Sequence, residues 1–274
     1  MDTLVQAIAM GIVQGLTEFL PISSSGHLII VPYLAGWDDP FITSLAFSVM
    51  LHIGTLIALL LYFWRDWARI VPAGLATIRD RSFNGESDRR LAWLLVVATI
   101  PALIVGFALN DLVEERFREV GLVALMLVVG GAVMWLADQW GSKRLLEVDL
   151  TFAKALGLGG AQALALIPGV SRSGISISAG LFAGLNRESA ARFSFLMATP
   201  ITAAAAAYES LKLVRGDLGV AVEVLPLIAG MVAALVSGLF AIAVLLRFLR
   251  TRSLNVFVAY RIVLAAIVLV TWLG

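Results

Sequence analysis

The sequence contains no cysteine and few charged residues, and each of these features excludes a class of protein or of site. The lack of cysteine excludes disulfides, thiol catalysis and cysteine-bound metals. Only 14% of the 274 residues are charged and 60% are hydrophobic, which excludes a water-soluble globular fold. Asp2 precedes an apolar run that Gln14 interrupts, so no cleaved signal peptide is expected. The net charge of +1 is uninformative. No nucleic-acid partner is expected. We predict an all-α polytopic membrane protein.

Two short apolar stretches, residues 3–18 and 24–35, open the chain, and Pro21 and three serines separate them. Each is too short to cross about 30 Å of hydrocarbon, so together they predict a re-entrant helical hairpin over residues 3–35. Its turn should line a cavity, because non-helical backbone inside a membrane needs protein or water around it. The remaining predicted elements are spans near 42–64, 91–109 and 120–140, a second broken hairpin over 152–185, and spans near 190–211, 223–246 and 255–273.

The chemically richest stretch is Pro168-Gly-Val-Ser-Arg-Ser-Gly-Ile-Ser176. Pro168 and Gly169 stop an apolar run, Ser171 is a suitable N-cap, and a helix is predicted to run from Ile175 to Leu185. A helix N-terminus with hydroxyl groups and the forked guanidinium of Arg172 is suited to a phosphate. The structural alternative is an ordinary helix cap with a snorkelling arginine.

The same pattern occurs earlier in the chain, 148 residues upstream. The matched pairs are Gly11 and Gly159, Gln14 and Gln162, Ser23 and Ser171, Ser25 and Ser173, and Gly26 and Gly174. We interpret this as an internal duplication, with repeat 1 at 1–148 and repeat 2 at 149–274; chance matches among small residues are the alternative. Three spans per repeat is an odd number, so the second repeat enters the membrane from the opposite face and the topology is inverted.

The two serine turns are then predicted to meet near the middle of the membrane. Each turn presents the positive end of a helix to the other, and two such ends repel unless an anion lies between them. That gap is the candidate active site. The spacing of Gly11 and Gly15 indicates close contact with another helix and carries no chemistry.

The basic residues predict the orientation of the chain. If both termini are outside, most of the 20 arginines and lysines lie in inner loops, including the connector at 79–90, as the positive-inside rule requires. The outer loops then hold Arg116, Arg118, Lys212 and Arg215. The 79–90 connector is expected to be solvated and to touch anionic lipid headgroups.

The stretches Gln14-Gly-Leu-Thr-Glu18 and Pro21-Ile-Ser-Ser-Ser-Gly-His27, with the Pro168 to Ser176 motif, resemble the undecaprenyl-diphosphate phosphatase family, also called the bacitracin-resistance protein family. The resemblance covers essentially the whole chain. It implies hydrolysis of undecaprenyl diphosphate to the monophosphate, which recycles the lipid carrier of cell-wall synthesis, assisted by a divalent cation, Mg²⁺ or Ca²⁺. One position departs from the family pattern, because Ser176 stands where the pattern has threonine.

The resemblance also implies a location and partners. We expect a multi-pass protein of the bacterial inner membrane whose active site opens to the outer, periplasmic side. Membrane lipids surround it, bacitracin competes for its polyprenyl diphosphate substrate, and a second copy of the chain is a candidate partner.

Roles for the site residues follow from phosphoryl transfer, in which developing negative charge needs positive donors such as Arg172. Ser24 is the preferred nucleophile, with direct attack by water as the main alternative. Glu18 would hold the cation or accept a proton, and His27 would exchange a proton with the nucleophile or the leaving oxygen. The residues expected to bind substrate are Gln14, Ser23, Ser25, Gly26, Ser171, Ser173, Gly174 and Ser176.

Other residues have a structural interpretation. His52 is read as a hydrogen-bonding residue between helices and Arg261 as a snorkelling or helix-pairing residue.

Two other protein classes compete with a phosphatase. Inverted repeats with broken helices also occur in transporters, so an anion transporter or lipid flippase is the main alternative. A non-catalytic scaffold is disfavoured by the cost of burying Glu18, His27 and Arg172 without use.

Overall fold

A computed structural model describes residues 2–82, 87–116, 119–215 and 222–273, with only the backbone described at 109–116, 209 and 212–214. Arg118 and residues 83–86 of the predicted inner connector lie outside these ranges, and so do the side chains of Arg116 and Lys212. The α-helices are α1 Thr3–Phe19, α2 Ser24–Ala35, α3 Leu45–Tyr62, α4 Trp64–Asp80, α5 Ser87–Arg116, α6 Val120–Trp140, α7 Phe152–Ala163, α8 Arg172–Phe182, α9 Arg187–Arg215, α10 Val224–Leu249 and α11 Asn255–Leu273. Short 3-10 turns occupy Glu147–Asp149 and Leu164–Leu166.

Six of these helices, α3, α5, α6, α9, α10 and α11, are long and apolar enough to cross a membrane. Within the described ranges the regular elements are helices, apart from one isolated bridge between Leu145 and Leu185. The predicted class, an all-α polytopic membrane protein, is therefore confirmed.

The four remaining apolar helices form two helical hairpins. α1 has 17 residues and α2 has 12, while α7 has 12 and α8 has 11. At 1.5 Å per residue none of the four reaches across about 30 Å of hydrocarbon. α1 contacts α2 and α7 contacts α8, so each broken segment folds back on itself. α8 begins at Arg172 and ends at Phe182, earlier at both ends than the sequence predicted, and Gly184 just beyond it has a φ of +101°.

The first helix of each hairpin packs against a span from the other half of the chain. α1 lies along α10 and α7 lies along α5. At the α1 contact a methyl group on Gly11 would overlap the Gly230 carbonyl, and at the α7 contact one on Gly159 would overlap the Ala98 carbonyl. Small residues at these crossings let the backbones approach, as predicted for Gly11.

Contacts at the two ends of α11 show at which end of the helix bundle the open base of each hairpin lies. The Leu254 N–H, just before α11, donates to Asp138, whereas the Tyr33 hydroxyl at the end of α2 donates to the Thr271 carbonyl, about 25 Å further along the helix. Lys154 donates to the Ala183 carbonyl at the base of the second hairpin, and Arg187, which follows that hairpin directly, pairs with Asp138, so this base lies at the Asp138 end. The duplication with inverted topology remains a prediction, but the two hairpins do open toward opposite ends of the bundle.

Helix α4 was not predicted. Its sequence is too polar for a span, because Arg65, Asp66, Arg69 and Arg79 interrupt the apolar residues. The apolar residues still fall on one exposed stripe at helical spacing, a pattern typical of a surface helix rather than a span. A search for spans therefore missed it.

Candidate active site

The two helix breaks have the same backbone conformation. Ser23 has φ 76° and ψ 93°, and Ser171 has φ 75° and ψ 113°, a left-handed region that costs energy for a residue other than glycine. Each serine side chain accepts a hydrogen bond from the N–H three residues on, Gly26 at 3.3 Å and Gly174 at 3.1 Å. Both serines are therefore N-caps, and their hydroxyls offset part of the strain.

The two breaks contact each other directly. The Gly169 N–H, in the second break, donates to the Ser23 hydroxyl at 3.1 Å, and the Ser173 hydroxyl donates to the Leu20 carbonyl in the first break at 3.1 Å. Side chains from each turn thus satisfy backbone groups of the other, and the N-termini of α2 and α8 are held side by side.

Glu18, at the end of α1, joins the two turns through its carboxylate. One carboxylate oxygen accepts from Arg172 Nη2 at 2.5 Å. The other accepts one hydrogen bond from the Ser24 hydroxyl and a second from the Gln14 amide at 3.1 Å. The Glu18 side chain is only 4% exposed and that of Arg172 is 16% exposed. A buried carboxylate is costly unless it is paired in this way, which fixes its position.

Ser24 and Arg172 occupy equivalent places in the two turns. Each is the first residue of its helix, α2 or α8, and they are separated by the 148 residues of the predicted duplication. Together with Ser25 they are the members of the two turns that remain partly exposed, while Ser23, Ser171 and their glycine partners are buried. A hydroxyl from one turn and a guanidinium from the other therefore meet at one carboxylate.

The expected divalent cation can be tested against these groups. The Gln14 side-chain oxygen is buried and has no hydrogen-bond partner among the described residues, and it belongs to the same side chain that donates to Glu18. Among the described residues, no three histidine, cysteine, aspartate or glutamate side chains lie close enough together to hold a metal ion. One carboxylate and one amide oxygen fit a Mg²⁺ or Ca²⁺ ion that takes its other ligands from substrate phosphates and water.

His27 contacts two groups of the protein through its ring nitrogens. Its Nδ1 donates to the Ser23 carbonyl at 2.6 Å, because a carbonyl can only accept, and the Tyr260 hydroxyl then donates to Nε2 at 2.8 Å. Both ring nitrogens are occupied, and the ring stacks on Tyr260 with centroids 5.7 Å apart. Neither of these ring contacts is with Ser24, and both hold the first turn in place. Proton exchange by His27 stays a prediction.

His52 was predicted to be a hydrogen-bonding residue between helices, and its Nε2 on α3 lies 3.4 Å from the carboxylate of Glu18 on α1, a predicted site residue. Its Nδ1 contacts the Ser48 carbonyl at 2.8 Å, the same four-residue spacing as His27 to Ser23. An ionisable residue inside a membrane is a functional candidate by default, and that signal alone could have identified His52. Tyr260 carried no comparable signal.

The remaining predicted residues line the turns in different ways. Ser25 lies 3.4 Å from Ser23, and Ser171 lies 3.3 Å from Ser173, in each case between hydroxyl oxygens. Ser176 is fully buried, and its hydroxyl contacts the Arg172 carbonyl and the Ser194 hydroxyl, each at 2.6 Å. The expectation that Ser176 binds phosphate is therefore not supported, because its hydroxyl bonds inside the protein.

Arg261 was predicted to be a snorkelling or a helix-pairing residue, and its bonds from α11 to carbonyls of α6 support the second role. A snorkelling arginine extends to the membrane surface, but Arg261 is completely buried. Its guanidinium contacts backbone carbonyls at both helix breaks.

These features define a class of protein: a helical membrane protein with a buried centre, suited to a phosphate group, where two broken helices meet. The sequence matches the family described as bacitracin resistance protein BacA over residues 7–267. The chain belongs to that family.

Curated relatives named undecaprenyl-diphosphatase match along almost their whole length. The protein from Moorella thermoacetica is 47% identical, with 99% of each chain covered. The relative from Desulforudis audaxviator is 46% identical over 97% of this chain and 96% of its own. That from Gemmatimonas aurantiaca is 46% identical over 98% of both chains.

Proposed function

We infer that this chain hydrolyses undecaprenyl diphosphate to undecaprenyl phosphate and free phosphate, which returns the lipid carrier to cell-wall synthesis. Membership of the family and the names of its relatives support this activity. The observation that carries the assignment to particular residues is the contact of Ser24 and Arg172 with one buried carboxylate, Glu18.

In the proposed reaction, the terminal phosphate of the substrate lies at the N-termini of α2 and α8. The free N–H groups of both helices and the Arg172 guanidinium bind its oxygens and stabilise the charge of the transition state. Arg172 holds Glu18 in the free enzyme, and its partly exposed side chain turns to the phosphate when substrate binds. The lipid chain stays in the surrounding hydrocarbon.

Ser24 attacks the terminal phosphorus. Its hydroxyl already donates to Glu18, so the proton passes to the carboxylate as the new oxygen–phosphorus bond forms. The bond from phosphorus to the bridging oxygen breaks, and undecaprenyl phosphate leaves. Glu18 gives that proton to the departing phosphate and is a carboxylate again. A water molecule then gives a proton to Glu18 and attacks the phosphoserine. The bond from phosphorus to the Ser24 oxygen breaks, Glu18 returns the proton to that oxygen, and inorganic phosphate is released.

Direct attack by water is the competing mechanism. Glu18 would then accept the proton of that water, and Ser24 would only donate a hydrogen bond to the phosphate. The Ser24 to Glu18 hydrogen bond favours the serine, because it places the proton acceptor on the attacking oxygen before substrate arrives.

A divalent cation is part of the proposal. Glu18 and the unpaired Gln14 oxygen would hold it. Such an ion neutralises the charge of the diphosphate and polarises a phosphoryl oxygen. Activity should therefore fall when a chelator is added and return with Mg²⁺ or Ca²⁺.

The proposed location is the bacterial inner membrane with the site open to the periplasm. Two ion pairs, Arg187 with Asp138 and Arg192 with Asp66, lie at the end where most basic residues collect, and this end would be cytoplasmic. In this cysteine-free chain, a single cysteine at exposed Asp38 should react with an impermeant thiol reagent in intact cells, and one at exposed Arg144 should not. The opposite labelling would place the site on the cytoplasmic side.

Two partners are also proposed. Bacitracin would bind the substrate in competition with the enzyme. Adding the antibiotic to the assay should therefore lower phosphate release in proportion to the substrate that it binds. A second copy of the chain would form a homodimer, which the mass of the purified complex in detergent would reveal.

The alternative function is transport of an anionic lipid phosphate, favoured by the opposite entry of the two hairpins. A phosphatase releases phosphate from undecaprenyl diphosphate in detergent, where no two sides exist, and a transporter does not. Purified protein should release phosphate in this assay. Failure with substrate and cation in excess would contradict the proposed function.

A further inference from the structure

Arg261, in the middle third of α11, is a buried arginine that the proposed mechanism does not use. It has no exposed surface, and none of the carboxylates in the described ranges forms an ion pair with it. An arginine buried without a counter-ion is expensive unless its N–H groups are hydrogen-bonded. What the guanidinium contacts therefore indicates why it is there.

Five backbone carbonyls surround the guanidinium, and they come from three separate stretches of chain. Nε donates to Leu127 at 2.9 Å, Nη1 to Pro21 at 3.4 Å and Val170 at 3.2 Å, and Nη2 to Met126 at 3.1 Å, Gly169 at 2.7 Å and Val170 at 3.2 Å. Pro21 lies in the first helix break, Gly169 and Val170 lie in the second, and the other two carbonyls belong to α6.

One nitrogen, Nη1, links the two breaks. It bonds Pro21, two residues before the Ser23 cap, and Val170, directly before the Ser171 cap. Carbonyls at a break in a helix lack the partners that a continuous helix would give them, so buried ones need another donor. A planar fork with five N–H groups supplies several donors at fixed angles, which a lysine ammonium cannot do.

Helix α6 is shaped to admit the fork. A methyl group on Gly130 would overlap Nη2 of Arg261 and lie 2.8 Å from the Val170 carbonyl oxygen. At the neighbouring Gly131 a methyl group would make only ordinary contacts, with Nε of Arg261 at 3.7 Å. A substitution at Gly130 therefore displaces the Arg261 guanidinium from a second helix, α6. A substitution at Gly131 is the matched control.

We propose that Arg261 is a positioning residue that sets the alignment of the two turns, and through it the placement of Ser24 against Arg172. This rests on the proposed function of the site. A misplacement of about 1 Å by a change away from the reacting atoms can cost roughly 10²-fold in rate. The effect should fall on transition-state stabilisation, because the donors of both turns must converge on the same phosphate.

The test compares four variants purified in detergent as monodisperse protein: Arg261→Lys, Arg261→Met, Gly130→Ala and Gly131→Ala. For undecaprenyl diphosphate, the first three should lower kcat by about 10²-fold with KM changed by less than about threefold. Lysine should be no better than methionine to within about threefold, because it keeps the charge and loses the fork. Gly131→Ala should stay within about twofold of the wild type.

A second readout separates alignment from mere folding. Orthovanadate resembles the transition state and inorganic phosphate resembles the product, so misaligned turns should weaken inhibition by vanadate far more than inhibition by phosphate. A lower folded fraction would change neither inhibition constant. We expect vanadate inhibition to weaken by about the same factor as kcat.

Several results would overturn the proposal. They are an Arg261→Lys enzyme within about threefold of wild-type kcat, equal losses in Gly130→Ala and Gly131→Ala, or parallel changes in vanadate and phosphate inhibition. Loss of monodisperse protein in both Arg261→Lys and Gly130→Ala would make the residue a requirement for folding and would also reject it. A wild-type protein that releases no phosphate would instead reject the proposed function.

Discussion

The turn before α2 and the turn before α8 have the same backbone conformation, and they differ in the partly exposed side chain at the first position of the helix. Both have a capping serine with φ near +75° and a glycine whose N–H donates to that cap. At the first helical position, however, the first turn has Ser24 and the second has Arg172. The same scaffold therefore presents a hydroxyl in one turn and a guanidinium in the other, and both contact Glu18.

A second difference explains why the turns are not interchangeable. The residue 148 positions after Glu18 is Leu166, so only the first half has a carboxylate next to its turn. Gln162, the counterpart of Gln14, is retained and buried, but neither of its amide atoms has a partner among the described residues. In the proposed mechanism, proton transfer therefore depends on the first half of the chain, and the second half contributes the positive charge of Arg172.

The largest expected effect comes from removing the hydroxyl that distinguishes the first turn. Ser24→Ala leaves both helix N-termini and Arg172 in place but removes the attacking oxygen, so turnover should fall by more than about 10³-fold while phosphate still binds. Phosphate release from undecaprenyl diphosphate and a competition assay with inorganic phosphate would measure the two quantities.

Ser23→Ala and Ser25→Ala are the controls for Ser24, since neither hydroxyl contacts Glu18 in the structure. Ser24→Ala should be the most damaging of the three by at least about tenfold. Equal losses, or failure to trap a phosphoserine in acid-quenched enzyme, would favour attack by water, for which Ser24→Ala should cost about 1–3 kcal/mol, roughly ten- to two-hundredfold.

The next largest expected effect comes from replacing the guanidinium of Arg172 in the second turn. Arg172→Lys keeps the charge but loses the planar fork, and the loss of one transition-state donor typically costs about 10²–10³ in rate. Lysine also still offers a charge to Glu18, which makes it a milder test than alanine, because alanine would leave that carboxylate buried and unpaired. A kcat within threefold of wild type would show that Arg172 only holds Glu18.

Much of this comparison could be predicted from the sequence because turns and caps depend on local residue types. Ser171 is the N-cap that its position before a helix indicated, and the break at Pro21 separates α1 from α2. The contact between the two serine turns followed from the matched motifs, but side-chain contacts between helices that carry no repeated pattern could not be predicted. His52 reaches Glu18 only because α3 packs against α1, and Arg261 reaches both turns only because α11 packs against α6.

The caps themselves offer a finer distinction. Ser23→Ala and Ser171→Ala each remove one N-cap, worth about 1 kcal/mol. Ser23 also accepts the Gly169 N–H of the other turn, and its loss leaves that buried donor unpaired, at a further cost of about 1–3 kcal/mol. Thermal unfolding in detergent should therefore show a lower midpoint for Ser23→Ala than for Ser171→Ala. The reverse order would mean that the contact between the turns contributes little to stability.

The smallest expected effect is at Ser176, which has no hydroxyl counterpart in the first half because Leu28 occupies the equivalent position. If the Ser176 hydroxyl bound phosphate, Ser176→Ala would lower turnover roughly ten- to two-hundredfold. Its hydroxyl instead contacts the Arg172 carbonyl and the Ser194 hydroxyl inside the protein. Ser176→Ala should then keep kcat within about threefold and lower stability by about 1 kcal/mol. Ser178→Ala is the matched control, since that buried hydroxyl donates to the Gly174 carbonyl in the same helix. A loss of turnover at Ser176 well beyond that at Ser178 would mean that the second turn binds phosphate through more than Arg172 and its N–H groups.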